Sequence, residues 1–175
     1  MASLKDRLPT TIRTERLVLV TPTLAHAPAI ARLCNNINVH KWMSRLPFPY
    51  GLSDAEFFIN TIVPSAEEYC LAITLDGELI GIVGLTFAEG REPELGYWLG
   101  EPFWGQGFAT EAARAVVDAA QTAGANALRS RALLSNSASR KVLRKAGFTE
   151  TGTATDQAGN LMGQELMQMS MDLTR

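Results

Sequence analysis

The stretch from Leu95 to Ala113 passes from a strand pattern to a helical pattern through a short turn that carries glycine. The strand ends near Gly100, the turn covers residues 104–107, and the helix begins at about Phe108. The unpaired amides of such a turn and the positive end of the helix dipole point in the same direction. The sequence therefore predicts an anion cradle at this helix start, suited to a ligand that carries phosphate.

Two familiar phosphate-binding loops do not fit this turn. The dinucleotide fingerprint requires a third glycine where this chain has Thr110, and the end of the next predicted strand, residues 133–136, offers no acid for a ribose. The nucleotide-triphosphate loop requires Gly-Lys-Ser/Thr after its spacer, which this turn lacks. A helix that merely begins with glycines remains the alternative interpretation of the turn taken alone.

Length and charge limit the kind of protein. The 175 residues fit one domain, residues 1–175, with residues 1–13 as a loose N-terminal lead-in. The 16 basic and 18 acidic residues give a net charge of −2, so we expect no direct binding of nucleic acid, which requires surplus positive charge. The longest apolar run falls short of the roughly 20 residues that span a bilayer, so no membrane partner is expected.

The two cysteines, Cys34 and Cys70, lie among apolar neighbours without the spacing of a metal site or a redox motif. Cysteines of this kind are typical of reduced core residues, which are usual where thiols are not oxidised. We therefore predict no metal and a cytoplasmic location.

The periodicity of the chain predicts an α+β domain. After Glu68 the apolar pattern has a period of two, and the turn Asp76-Gly77 joins two strands that precede the strand ending at Gly100. The remaining elements are predicted as strands over 16–21, 127–134, 148–153 and 161–173 and as helices over 23–35, 53–62 (after a capping box at Ser53), 108–123 and 137–146. The crossover after the glycine turn makes one parallel pair. The expected fold is a three-layer arrangement, with helices flanking a mixed, mostly antiparallel central sheet of about six to seven strands.

Three segments, in this order, resemble the GCN5-related N-acetyltransferases. They are Glu94-Leu-Gly-Tyr-Trp-Leu, Trp104-Gly-Gln-Gly-Phe-Ala-Thr-Glu-Ala and Asn136-Ser-Ala-Ser-Arg-Lys-Val-Leu-Arg-Lys-Ala-Gly-Phe148. The start Thr14-Glu-Arg-Leu-Val-Leu and the segment Pro47-Phe-Pro-Tyr50 are similar to the branch that contains bacterial ribosomal-protein N-terminal (RimJ/RimL-type) acetyltransferases. The resemblance covers nearly the whole chain and implies the acyl-CoA N-acyltransferase fold, with acetyl-CoA as co-substrate.

The resemblance also implies how acetyl-CoA is held. Backbone amides of the turn and the first helical turn would bind its pyrophosphate; they belong to Gly105, Gln106, Gly107, Phe108, Ala109 and Thr110. The strand residues Tyr97, Trp98 and Leu99 would pair with the pantetheine arm through their backbone. Asn136 would hydrogen-bond the same arm, although its role as a helix N-cap is equally well supported. Trp104 stands where the family has Arg or Gln, so one contact between a cationic side chain and the phosphate is expected to be lost.

The implied mechanism is direct attack of a neutral amine on the thioester, which requires a proton acceptor and an acid for the departing thiolate. Many relatives place a tyrosine seven residues after the asparagine, where this chain has Leu143. Ser139 occupies the position of a serine in the similar branch, and we predict it as thiolate donor, with a structural helix serine as the alternative. Glu94 is the predicted base, and the alternative is that it is merely an exposed carboxylate at a strand end. Asp156 is a weaker candidate for the base.

The predicted function is acetyl-CoA-dependent N-acetylation of a primary amine. The acceptor is predicted to be a protein N-terminal α-amine or a small-molecule amine, selected by residues 36–50, a loop or broken helix rich in aromatic and basic side chains. Because the usual tyrosine is absent, a regulatory module that binds acyl-CoA without turnover is a second hypothesis. The chain is expected to act as a monomer or homodimer.

Overall fold

A computed structural model of the chain describes residues 1–174 and contains one sheet of eight strands. The strands are β1 (Thr11–Arg13), β2 (Val18–Val20), β3 (Glu68–Leu75), β4 (Glu78–Thr86), β5 (Glu94–Leu99), β6 (Ala127–Leu133), β7 (Thr149–Thr155) and β8 (Glu165–Asp172). Their order across the sheet is β1-β2-β3-β4-β5-β6-β8-β7. The mixed, mostly antiparallel α+β fold predicted from the sequence is confirmed, because β5 and β6 are parallel and the other neighbouring pairs are antiparallel.

Helices cover both faces of this sheet. They are α1 (Leu4–Arg7), α2 (Ala27–Cys34), α3 (Ile37–His40), α4 (Leu52–Phe57), α5 (Phe108–Thr122) and α6 (Ser137–Ala146), with a π-helical turn at Phe58–Ile62 after α4 and 3-10 turns at Leu24–His26, Glu101–Phe103 and Gly159–Leu161. Among residues 1–174, no helix combines the length and the apolar character that crossing a membrane requires.

Alternate side chains of the central strands enter two separate cores. On one face, α5 and α6 pack against the sheet through buried residues that include Leu71, Val83, Leu95, Ala112, Val116 and Leu143. On the other face, α2 and α4 pack against a second set that includes Ile30, Cys34, Ala55, Ala72, Ile82 and Trp98. The period of two in β3 to β5 thus serves both faces, which produces the three predicted layers.

Both cysteines are free and buried. Burial raises the pKa of the Cys34 and Cys70 thiols to about 12, because the core cannot solvate a thiolate. They are reduced core residues, as the sequence predicted.

Two local predictions are wrong. Residues 1–13 are not a loose lead-in: Ser3 and Asp6 form a capping box for α1, Leu8 is buried, and β1 pairs with β2. Core contact for Leu8 and backbone pairing for β1 hold this segment, and the sheet therefore has eight strands. The helix predicted to be capped at Ser53 begins at Leu52, because the Asp54 carboxylate accepts the backbone N–H of Gly51. The last residue of the predicted domain, 175, lies outside the described range.

The parallel pair of strands is short, and this decides where the site lies. β5 and β6 are in register only at Glu94 with Arg129 and at Leu95 with Ser130. β6 then continues in register with β8 as far as Leu133, while β5 runs with β4 to Leu99. The two strands consequently diverge, and a gap opens beside the second half of β5.

Candidate functional site

A cleft of about 1640 Å³ occupies the gap between β5 and β6 and extends to the start of α5 and α6. Most of the predicted site residues line it: Glu94, Tyr97, Trp98, Leu99, Gly105, Gly107, Phe108, Ala109, Thr110, Asn136 and Ser139. Gln106 instead turns its side chain away, and its Nε2 donates to the Pro102 carbonyl at 3.3 Å. The tertiary structure therefore gathers residues from four elements around one cavity.

The glycine turn presents bare backbone to this cleft. Gly107 is the N-cap of α5 and has φ of +82°, a conformation in which a side chain is strained. Because the N-cap residue is a glycine, no N-cap side chain within residues 1–174 accepts a hydrogen bond from the first amides of α5. The first amides of α5 thus keep the arrangement on which the predicted anion cradle depends.

Arg16 supports the turn from behind, a role that the sequence analysis missed. Its Nη1 donates to the Gln106 carbonyl at 2.9 Å, and its Nε donates to Glu111 Oε1 at 2.7 Å. The guanidinium also lies 4.3 Å from the centre of the Phe108 ring. The cation that Trp104 does not provide is therefore present near the turn, where it orders the backbone.

The pKa of Glu111 links this support to pH. Burial raises the pKa of the carboxyl, but hydrogen bonds from Thr14 and from the backbone and side chain of Arg16 outweigh burial and lower it overall. Since the folded pKa lies below the unfolded one, the stabilisation is present at neutral pH and is lost as pH falls through the folded pKa. We expect the Tm difference between wild type and Glu111→Gln to shrink below about pH 4.

Thermal denaturation between neutral and acidic pH measures this effect. The exposed Glu15 supplies the matched control, and Glu15→Gln should leave Tm nearly unchanged at every pH. A Tm difference for Glu111→Gln that stays constant into acid would contradict the assigned ion pair.

The backbone of β5 faces the gap at alternate residues. The Gly100 N–H donates to the Ile80 carbonyl at 2.8 Å, so in an antiparallel ladder the polar groups of Leu99 and Tyr97 point away from β4. In agreement, the Leu95 carbonyl accepts from Ser130 Oγ at 2.8 Å on the β6 side. By the same alternation Trp98 directs its backbone toward β4, so it contributes its side chain to the lining rather than the predicted backbone pairing.

Asn136 and Ser139 lie at the start of α6. Asn136 Oδ1 accepts the backbone N–H of Ser139 at 3.2 Å, which makes Asn136 the N-cap of the helix. Ser139 Oγ accepts a hydrogen bond from the Tyr97 hydroxyl at 3.0 Å. The tyrosine is a partner that the sequence analysis did not assign, because the two residues are 42 positions apart.

Glu94 is held by two arginines. Its Oε1 accepts from Arg131 Nε at 3.0 Å, and its Oε2 lies 2.9 Å from Arg129 Nη2. Both oxygens of this carboxylate are engaged in ion pairs, so a proton that binds there competes with two arginines. This geometry disfavours the prediction that Glu94 is the base.

Asp156 is a second carboxylate that lines the cleft. It lies in the β7–β8 loop and is 7% exposed. Its Oδ1 lies 3.7 Å from Arg131 Nη1, and in the described part of the chain its buried Oδ2 has no hydrogen-bond partner. A buried carboxylate oxygen without a partner is costly, which is typical of a group that meets a ligand.

Glu68 is a further carboxylate that lines the cleft, and the sequence analysis did not single it out. Burial raises its pKa, while the Thr86 hydroxyl donates to the carboxylate and partly opposes the rise.

Over residues 1–174, no group of three His, Cys, Asp or Glu side chains is arranged to hold a metal ion.

Two loops cover the end of the cleft near Asp156. Asn160 Nδ2 donates to the Met43 carbonyl at 3.2 Å and to the Leu46 carbonyl at 2.7 Å. The Asn160 N–H also donates to the Ser44 carbonyl at 2.8 Å. The β7–β8 loop is thereby fastened to the segment between α3 and α4, and together they form a roof over this end.

Comparison with known proteins gives consistent matches. The family model described as acetyltransferase (GNAT) domain matches residues 16–149. An uncharacterized N-acetyltransferase, p20, of Bacillus licheniformis is 29% identical over 154 residues, which cover 83% of this chain and 86% of p20.

Two solved structures are similar in fold. The microcin C7 self-immunity acetyltransferase MccE, in complex with acetyl-CoA and AMP, has a TM-score of 0.84 at 23% identity and covers 95% of this chain and 98% of MccE. RimL, a ribosomal L7/L12 alpha-N-protein acetyltransferase in complex with coenzyme A, has a TM-score of 0.80 at 20% identity over 94% of this chain and 97% of RimL. At these identities the agreement establishes the fold.

Proposed function

Because the chain belongs to the GNAT acetyltransferase family, we propose that it acetylates the α-amine of a protein N-terminus. Family membership makes the chain an N-acetyltransferase with acetyl-CoA as donor. The acceptor is the proposed part, and one observation carries it: Asp156, whose buried Oδ2 has no partner among residues 1–174, lines the cleft beneath the roof formed by the two loops.

The side chains of the roofed end suit a peptide. Aromatic and apolar groups from the segment after α3 and from α4 line this part of the cleft: Trp42, Met43, Leu46, Phe57 and Phe58. Apolar surface of this kind favours the first side chains of a peptide over a small polar amine. RimL, which shares this fold and is an alpha-N-protein acetyltransferase, agrees with this acceptor class.

The residues along the cleft suit acetyl-CoA. We assign its diphosphate to the amides of the glycine turn and of the first turn of α5, with Gln106 contributing its backbone alone. The bare backbone at Gly107 supports this assignment, since a Cβ there would lie 3.2 Å from Arg16 Nη2. The pantetheine arm is assigned to the gap-facing backbone of Tyr97 and Leu99 and to Asn136.

The proposed chemistry follows from these positions. Acetyl-CoA supplies a thioester: the amine nitrogen bonds to its carbonyl carbon, and the carbon–sulfur bond breaks with its electron pair on sulfur. Asp156 accepts the proton that the amine loses, directly or through water, and Ser139 donates a hydrogen bond toward the leaving sulfur. Glu94 holds Arg131 beside Asp156 and so acts as a positioning residue rather than as the base.

Release of the CoA thiol tests the proposed acceptor. We expect release when acetyl-CoA is mixed with lysine-containing peptides whose α-amine is free. We expect none when the α-amine of the same peptides is acetylated and only the lysine amine remains. Turnover restricted to lysine side chains or to small amines would refute the N-terminal acceptor. If acetyl-CoA raises Tm but no amine causes thiol release, the chain is a binding module.

The setting of the reaction is also part of the proposal. The two reduced cysteines support a cytoplasmic location, where thiols are not oxidised.

A further inference from the structure

A phenol lies beside the proposed thiolate donor. Tyr97 belongs to β5 and Ser139 to the first turn of α6, so the two side chains reach the cleft from different walls. Their oxygens are 3.0 Å apart, with the Tyr97 hydroxyl as donor. The tyrosine ring packs against the core between the sheet and α5, which fixes the direction of its hydroxyl.

The helix itself cannot supply this phenol. Leu143 stands one turn after Ser139 on the same face of α6. Leu143 is 1% exposed and belongs to the core, so this position offers no hydroxyl. A phenol reaches the same helical turn from β5 instead.

We propose that Tyr97 is a positioning residue that directs the hydroxyl proton of Ser139 toward the sulfur of CoA. This inference rests on the proposed function of the cleft. A serine hydroxyl has one proton, and its rotation decides which acceptor receives it. When the Tyr97 proton occupies one lone pair of Ser139 Oγ, the serine proton points elsewhere, and the cleft is the open direction.

The surroundings of Tyr97 keep it a proton donor. Burial raises the pKa of the phenol, and the hydrogen bond to Ser139 offsets only part of that rise. The phenol therefore stays neutral at ordinary pH and orders Ser139 without losing its own proton.

The pKa of the CoA thiol in the complex with product CoA is the first test, because it needs no turnover. Thiolate absorbance in the ultraviolet reports the titration when spectra with and without CoA are subtracted. We expect Tyr97→Phe and Ser139→Ala each to raise this thiol pKa by about one unit, since a hydrogen bond to the thiolate is lost or misdirected. An unchanged thiol pKa in Tyr97→Phe would overturn the inference.

Kinetics of the same variants supply the second test. We expect Tyr97→Phe to lower kcat about tenfold with KM for acetyl-CoA within about twofold, and the double variant to match Ser139→Ala. Additive losses, or a normal kcat in Tyr97→Phe, would refute the coupling. Tyr69→Phe is the matched control: its buried hydroxyl donates to the Pro9 carbonyl at 2.6 Å, and its removal should leave kcat unchanged.

The two tests separate this inference from the proposed function. If the wild type releases no thiol with any amine but Tyr97→Phe shifts the thiol pKa, the positioning role stands and the proposed function fails. If the wild type turns over but neither readout responds to Tyr97→Phe, the proposed function stands and the positioning role fails.

Discussion

Replacement of Gly107 by valine is expected to abolish acetyl-CoA binding, with Kd rising by a factor of about 100 or more. A β-branched residue is strained at φ of +82°, and its Cβ would lie 3.2 Å from Arg16 Nη2. Relief of the backbone strain shifts the turn, which moves the amides of the α5 start away from the diphosphate. Isothermal titration calorimetry with acetyl-CoA measures the change.

Strain and lost binding are separated by a control at the other end of the same helix. Gly124 follows α5 and has φ of +99°, and it is not among the residues that line the cleft. Gly124→Val should lower Tm by a similar amount, because both backbones carry strain of about 1–2 kcal/mol. It should leave Kd near the wild-type value. Normal affinity in a folded Gly107→Val would reject the cradle.

Asp156→Asn is expected to lower kcat by a factor of about 10² to 10⁴, the range supplied by a positioned general base. The amide has nearly the shape of the carboxylate but cannot take up the amine proton. We expect KM for acetyl-CoA to change little, because Asp156 lies at the roofed acceptor end rather than at the glycine turn. Steady-state kinetics with an N-terminal peptide measure the loss.

Glu94→Gln decides between the two carboxylates. If Glu94 only holds Arg131, its amide keeps one hydrogen bond, and kcat should fall less than about tenfold. The reverse pattern, with a large loss in Glu94→Gln and normal turnover in Asp156→Asn, would restore Glu94 as the base. Circular dichroism and Tm should be measured for both variants to check folding, because Glu94 links two arginines of β6.

Elements with a local signal were predictable. The period of two over β3 to β5, the Asp76-Gly77 turn and the glycine turn before α5 each depend on neighbouring residues, and the structure contains each of them. The first segment was not predictable in the same way. Residues 1–13 are polar in composition, and their hold comes from tertiary contacts, namely burial of Leu8 in the core and pairing of β1 with β2.

The proposed catalytic residues depended on information of another kind. The sequence placed Ser139 and Asn136 near the cleft because one helical turn joins them. It favoured Glu94 over Asp156, since nothing local to Glu94 indicates that Arg129 and Arg131 occupy its oxygens.

The sequence by itself determined the strands and helices from β2 onward that carry a clear period, and its motifs indicated the family, because periodicity, turn conformation and capping act over a few residues. The tertiary structure alone decided which carboxylate keeps a free oxygen, which phenol meets Ser139 across 42 positions, and how Arg16 reaches Glu111 across 95. These pairings arise from sheet register and loop packing. Contacts between distant positions leave no period in the chain, and so the chemistry of the site had to be found in three dimensions.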